Sequence, residues 1–462
     1  MKKYLALILG AVFVLGFAAS AFAIHAEIPA ESQAVIAKGA TQITIGGDIR
    51  IRGEFQQNTS DFNDNNADHK TFYDQRIRLD FGAKLSPNTQ GFIQIEGGGD
   101  PSATNIGGSS VWVWGNPAPN QINTGVYHEG ENKKGDLRIL QAWIQHTGSG
   151  VLGIPAGVKV GHMPLSLGNA LFFDHTLFGD DAVVFFMDPT KELHVGLLTV
   201  KLREGSTILN DDSTAYVGLF NYRTKEFGVS GDVTYVDDQN KFGGNTIGTD
   251  AHLWNFALRG DATFSGLKVK ADVEVQTGKI TDTGASDVKF RGYAFLAGLY
   301  YTINPVKLTL EYAYGSGPGD DPTKFKMFVT ALSQTYYSTN VNTYLYNYRT
   351  ITAAGSQFAG IANTQYVKLN ADANVAKDLR LELELDWLRA AKNNVVSIGG
   401  VHTLGDSKDI GVELDGRVTY TIDRNLKYWV EGGYLFAGNF WKTAAKSPDD
   451  VYAIRHGIQL SF

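Results

Sequence analysis

Cysteine is absent from the 462-residue chain. That absence excludes disulfide scaffolds, thiolate zinc sites, thiol nucleophiles and haem attached through Cys-x-x-Cys-His. Proline is scarce at 12 residues. Past residue 23 no stretch reads as the roughly 20-residue apolar run of a membrane helix. Basic side chains are outnumbered, 41 Lys and Arg against 48 Asp and Glu, and form no stripe, which argues against nucleic acid as a partner. Catalytic signatures are missing too. No His-Glu-x-x-His occurs, Gly97-Gly98-Gly99-Asp100 lacks the Gly-Lys-Ser/Thr ending of a phosphate loop, and the histidines, His69, His128, His175 and His402 among them, are scattered. Asp61, Asp64 and Asp68 are spaced irregularly for a calcium loop. The expectation is a chain that is not an enzyme and carries no cofactor.

What is present begins at the N-terminus. Met1-Lys2-Lys3 is a positive start, Tyr4 to Phe17 an apolar run, and Ala21-Phe22-Ala23 a small-x-small cleavage site. Residues 1–23 therefore read as a signal peptide, with residues 24–40 a periplasmic leader and residues 41–462 the folded body.

Segment after segment of that body alternates apolar and polar residues with period two, the mark of half-buried strands. Ile43, Ile45, Ile49, Ile51 and Phe55 oppose Asp48, Arg50, Arg52 and Glu54. Tyr73, Ile77, Leu79 and Phe81 oppose Asp74, Arg76, Arg78 and Asp80. Later strands repeat the division, with Lys268, Lys270, Asp272 and Glu274 on one polar face. Arg380, Glu382, Glu384 and Asp386 form another, and Glu413, Asp415 and Arg417 a third. A soluble sandwich rarely needs so many long strands with such charged faces. A transmembrane barrel does, with lipid on the apolar side, a wet lumen on the other, and closure to satisfy every backbone group.

The connections agree. Short turns fall at residues 86–88, 147–150, 188–189, 223–225, 265–266, 303–305, 376–378 and 422–425. Long polar stretches alternate with them, at 56–71, 98–135, 164–181, 204–213, 237–250, 279–286, 316–364, 390–408 and 438–450. This is the rhythm of periplasmic turns and extracellular loops, and it predicts an all-β, antiparallel up-and-down barrel of about eighteen strands with both ends in the periplasm. The Asp-Asp pairs at 180/181, 211/212, 237/238, 320/321 and 449/450 are all expected within the long loops, none in a short turn. Tyr300, Trp387, Tyr420, Tyr428, Tyr434 and Phe436 sit in apolar phase, suited to an aromatic girdle.

Residues 164–181 are too apolar for an idle surface loop, so Phe172, Phe173, Asp174 and His175 are expected at a constriction inside the lumen. Asp321-Pro322 followed by Phe325, Phe328, Val329 and Leu332 predicts a short amphipathic helix. Tyr336, Tyr337, Tyr344, Tyr346 and Tyr348 are candidates for stacking on sugar rings.

The run Lys159-Val160-Gly161-His162-Met163-Pro164-Leu165-Ser166-Leu167-Gly168, continued by Phe172 to Val184, resembles the glycine-bounded strand and loop of alginate-export-type outer-membrane proteins. Tyr434 to Phe440 resembles that family's late strand ending in Gly-x-Phe, and the two Arg-x-Arg strands at Arg50 and Arg76 are similar as well. His162 stands where the family commonly has arginine, and Leu167 where an aromatic is usual. Phe462, after Ile454, Ile458 and Leu460, resembles the signal read by barrel-assembly machinery. The resemblance implies an eighteen-stranded porin-like barrel in the outer membrane of a Gram-negative bacterium, facing lipid and lipopolysaccharide; homo-oligomers are compatible with it. Its lumen carries basic and acidic residues in near balance, unlike the basic path a polyanion needs. The expected function is passive passage of ions and small hydrophilic solutes. The alternatives are an exporter of an anionic polysaccharide and a sheath for an electron-carrier partner.

Overall fold

The computed structural model describes residues 34–38, 41–59, 62–66, 69–98, 112–114, 137–176, 179–205, 211–239, 249–282, 287–330, 360–393, 397–398, 401–402 and 404–462. Eighteen antiparallel strands close into one barrel, each paired with its neighbours in the chain. They are β1 (Thr41–Gln57), β2 (Lys70–Ser86), β3 (Thr89–Gly97), β4 (Leu137–Gly148), β5 (Ala156–Met163) and β6 (Asp180–Met187). The wall continues through β7 (Leu193–Arg203), β8 (Ser213–Arg223), β9 (Phe227–Asp238), β10 (Thr249–Phe264), β11 (Leu267–Asp282) and β12 (Tyr293–Ile303). It ends with β13 (Val306–Gly315), β14 (Thr364–Ala376), β15 (Leu379–Ala390), β16 (Asp409–Asp423), β17 (Leu426–Ala437) and β18 (Val451–Ser461).

The eight short connections lie at the expected places. The tightest follows from its sequence: Ser265 and Gly266 both take positive φ (49° and 85°), so two residues join Phe264 to Leu267 as a primed turn matched to strand twist. The Asp-Asp pairs at 180/181 and 237/238 belong to strand ends rather than to loops, opening β6 and closing β9 at the same end of the barrel as the long connections.

Closure uses both ends of the described chain. β18 pairs with β1 from Asp48–Ser461 to Gln57–Tyr452, and Phe462 exchanges both backbone hydrogen bonds with Gly47. Below that point Ala34–Lys38, part of the segment expected as a leader, pairs with Thr41–Ile45. The edge of β1 is thereby paired along its length, which removes the open strand edge that lipid does not tolerate.

The outer face is an apolar belt: Ile144, Leu197, Leu258, Val275, Leu310 and Leu414 are exposed on different strands. Apolar surface on this scale is incompatible with water and fits hydrocarbon. Aromatics edge the belt near the long-loop end at Tyr73, Trp254, Tyr293, Trp387 and Tyr434, and near the turns at Tyr222, Phe264, Tyr301, Tyr420 and Tyr428. Of the expected girdle, Tyr300 is the exception. It turns inward, where its hydroxyl donates to Glu311 at 2.7 Å, and Tyr301 takes the outer position. Leu197 lies near the middle of β7 and is 63% exposed. An arginine there is expected to destabilise the barrel by about 2–4 kcal/mol, measured by denaturant titration in lipid vesicles, because its charge is forced into hydrocarbon.

The interior has two levels. Toward the long-loop end the inward side chains of β6 to β10, with Leu388 and Leu435, are apolar, among them Val184, Val200, Val217 and Leu253, and they form one cluster with residues of the loops. On β1 to β3, by contrast, buried charge reaches that end at Glu54, Asp74 and Glu96. Toward the turns the inward face is charged. The helix expected from Asp321 is not formed over residues 321–330. Lys324–Phe325 instead pairs with Lys289–Phe290, and the side chain of Gln276 satisfies both backbone groups of Val329. A single turn of helix gains too few hydrogen bonds to compete with such partners. Leu332 and the five loop tyrosines lie outside the described residues.

Candidate functional site

Because side chains alternate across each strand, the charged face of one strand meets that of the next, and the inward wall becomes a set of ion-pair ladders. Around β1 to β4, Asp74 is buried between Arg52 at 2.8 Å and Arg50 at 3.5 Å. Arg76 reaches Asp48 at 2.7 Å, and Arg78 and Arg138 share Glu96. Lys268 lies 3.4 Å from Asp261, and Lys270 lies 3.2 Å from Glu311. Farther round, Arg380 joins Asp372 and Glu382 at 2.7 and 2.8 Å, Lys368 meets Glu384 at 2.9 Å, and Arg417 and Arg455 hold Glu431. Arg50, Arg52, Arg76, Arg78, Lys268, Lys270, Arg380 and Arg417 thus each have a carboxylate beside them. Such pairing holds long side chains flat along the wall and leaves the lining mixed in charge rather than basic.

One centre escaped the sequence reading. Arg259 on β10 is 7% exposed and touches three carboxylates: Asp232 from β9, and Asp272 and Glu274 from β11, the last two at 2.9 Å. Its signal was present, since Asn255, Arg259 and Asp261 alternate with Trp254, Phe256 and Leu258. The convergence of three strands on one guanidinium was not legible.

The loop from 164 folds inward onto this centre. Leu167 and His175 bond back to Phe173 and Leu165, and a turn closes from Ala170 to Leu167, so the loop is a self-bonded finger. Gly168, at φ +58°, lies so close to Arg259 that an added Cβ would fall 1.7 Å from its Nε, and only glycine suits the position. Asn169 then donates to Asp272 at 2.9 Å. Phe172 and Phe173 are buried, and Phe172 meets the edge of Phe328 from the loop 316–330, with ring centroids 6.5 Å apart. That second loop is held by Gln276, which accepts from the Val329 N–H at 2.8 Å and donates to its carbonyl at 2.6 Å.

Asp272, Glu274 and Gln276 are successive inward positions of β11, so one strand face anchors both loops. His175 is buried, stacked on Phe173 and bonded to Asp180 at 2.6 Å, not poised at a watery edge. Asp174 accepts from the N–H and hydroxyl of Thr176. Burial nonetheless pushes its carboxyl above the ordinary range, the Thr176 bonds opposing the shift without cancelling it. Across the lumen a second junction forms where Phe62 stacks on Trp441 at 4.3 Å.

Comparison with known proteins agrees with this architecture. Residues 223–452, just under half of the chain, match the family model described as alginate export. The motif around Lys159 lies outside that stretch, and the Tyr434–Phe440 motif lies inside it. No curated protein matches the chain. Among solved structures, OpdK of Pseudomonas aeruginosa, solved with vanillate, is 10% identical over 90% of this chain and 98% of its own, with a TM-score of 0.53. OccK11 (OpdR) of the same organism is 12% identical over 91% and 96%, with a TM-score of 0.51. At such identities the likeness is one of fold. With the closed eighteen-strand wall and the apolar outer belt, the chain is an outer-membrane β-barrel of the Gram-negative type, and residues 223–452 of it are similar to the alginate-export family.

Proposed function

We propose that the barrel is a porin-like channel through which ions and small hydrophilic solutes pass down their gradients. The charged level of the lumen serves as the conduit, and the two loops anchored on β11 narrow it. The observation that carries the reading is that shared anchor. Asp272 and Gln276 on one strand face each hold a loop inside the lumen, with Glu274 between them bonded to Arg259, a construction suited to setting a bore. In this reading Arg50, Arg52, Arg76 and Arg78, with the charged faces of β11, β15 and β16, order water and give weak ion selectivity. The reading assigns no chemistry to the chain. Residues 1–23 direct export and are removed, lipopolysaccharide meets the outer rim, and Phe462 addresses the assembly machinery.

A second reading, export of an anionic polysaccharide, is favoured by the family match and disfavoured by lumen cations that already have carboxylate partners. Conductance of the purified mature protein in planar bilayers, under a salt gradient and with uronate oligomers on one side, separates the two. Open steps with weak selectivity and no oligomer block are expected for the channel. Strong anion selectivity with oligomer block overturns it in favour of the exporter. Silence in every condition would mean a closed barrel, the case in which a sheath role for a partner regains ground.

A further inference from the structure

On the inward face of β15 and β16 the ladder pattern breaks. Glu384 lies directly across from Asp415, and Asp386 across from Glu413, so carboxylates face carboxylates on two consecutive inward rungs. Like charges directly opposite repel; where Asp372 faces Glu382 one rung below, Arg380 bonds to both carboxylates and offsets the repulsion. Here Lys368, 2.9 Å from Glu384, is set against several carboxylates at once. Asp386 is fully buried, and neither of its oxygens has a hydrogen-bond donor. A buried carboxylate without a donor forfeits its hydration for nothing in return unless a cation occupies its open side.

The geometry points to a divalent-cation site formed by Glu384, Asp386 and Asp415, of the calcium class. One ligand oxygen from each of the three lies within 4.8 Å of the others. Two oxygens bound at about 2.4 Å to one calcium ion are at most about 4.8 Å apart, a spacing the three already meet, so side-chain rotation is enough to gather them on a single ion. Glu384 and Asp415 are only partly buried, which leaves the ion a route from the lumen and room for waters to complete its shell. Oxygen-only ligation selects a hard cation, and a shell that is flexible and part water suits calcium better than a metal demanding nitrogen or sulfur. Bound there, the ion cancels the repulsion and pins β15 to β16.

The test uses the full mature protein in detergent micelles, stripped with EDTA and titrated with calcium chloride by calorimetry at neutral pH. One ion per chain is expected, with a rise in the unfolding temperature that EDTA reverses. Asp386→Asn and Asp415→Asn, each checked for folding by heat-modifiable gel mobility, should each weaken binding by about tenfold or more. Asp449→Asn, on an outer loop, should leave this binding intact. If the native protein takes up no calcium at millimolar concentration, the carboxylates share protons instead and the site is refuted. Calcium binding that survives both wall substitutions but is lost with Asp449→Asn would move the ion to the outer loops and refute it equally. Neither result depends on whether the barrel conducts.

Discussion

Arg259→Met should be the most damaging single change in the lumen. Methionine keeps the bulk and removes the charge, leaving Asp232, Asp272 and Glu274 buried around a neutral side chain. Removing one partner of a buried ionic cluster typically costs about 3–5 kcal/mol, because the remaining charges stay desolvated and repel. A channel lumen open to water lowers that cost, so the lower part of that range is expected. The measurement is a denaturant titration in micelles, followed by tryptophan fluorescence. The same substitution should free the loop from 164, since Arg259 backs Gly168 and keeps Asp272 in place for Asn169. Replacing the three acids by Asn, Asn and Gln in the Met background should recover most of the stability, as the loss comes from uncompensated charge. A stability change below about 1 kcal/mol would mean that water already solvates the cluster.

Channel conductance should change most when the two loops are parted. Phe172 and Phe328 are buried at their contact, and Phe328→Ala removes one side of it. Truncating a buried phenylalanine in a packed core costs about 3–5 kcal/mol. If about 3 kcal/mol of that acts on the docked loops, their open-to-docked ratio shifts by about a hundredfold, since about 1.4 kcal/mol is a factor of ten. Single-channel records should then show larger and more frequent open steps. Gln276→Leu, which removes the bonds to Val329, should act in the same direction. Unchanged conductance in the double variant would show that the docked loops do not set the bore.

The barrel was legible in the sequence because its signal is local. Each strand declares its two faces by alternation, and each turn by its own residues, so all eight short turns followed without any knowledge of neighbours, and the polar faces that carry Arg50, Arg76, Lys268, Arg380 and Glu413 stood apart from the apolar ones. Tyr300 was misplaced where alternation fades. In Tyr293–Ile303 both faces carry Ala, Leu and Tyr and neither carries a charge, so only pairing with β11 and β13 fixes the phase. Arg259 was missed because its meaning lies in three strands converging. The helix from Asp321 failed for a related reason. The i, i+3, i+4 spacing of Phe325, Phe328 and Val329 was real, but Gln276, about fifty residues earlier, offered the backbone better partners. Local periodicity reports which way a residue faces and says little about what awaits it there.

The seam at β1 bears on how such a wall comes to exist. One edge of a single strand is shared by the two ends of the described chain, Ala34–Lys38 on its first residues and β18 with Phe462 on the rest. Every other pairing in the wall joins neighbours in sequence and can form as the chain is delivered, whereas this one spans the largest loop the polypeptide can make. The last strand to arrive therefore decides whether the cylinder exists at all, and until then β1 presents its upper backbone as a half-occupied template. The short strand at its base leaves a defined starting register, Gly47 against Phe462, from which the final pairing can run upward rung by rung.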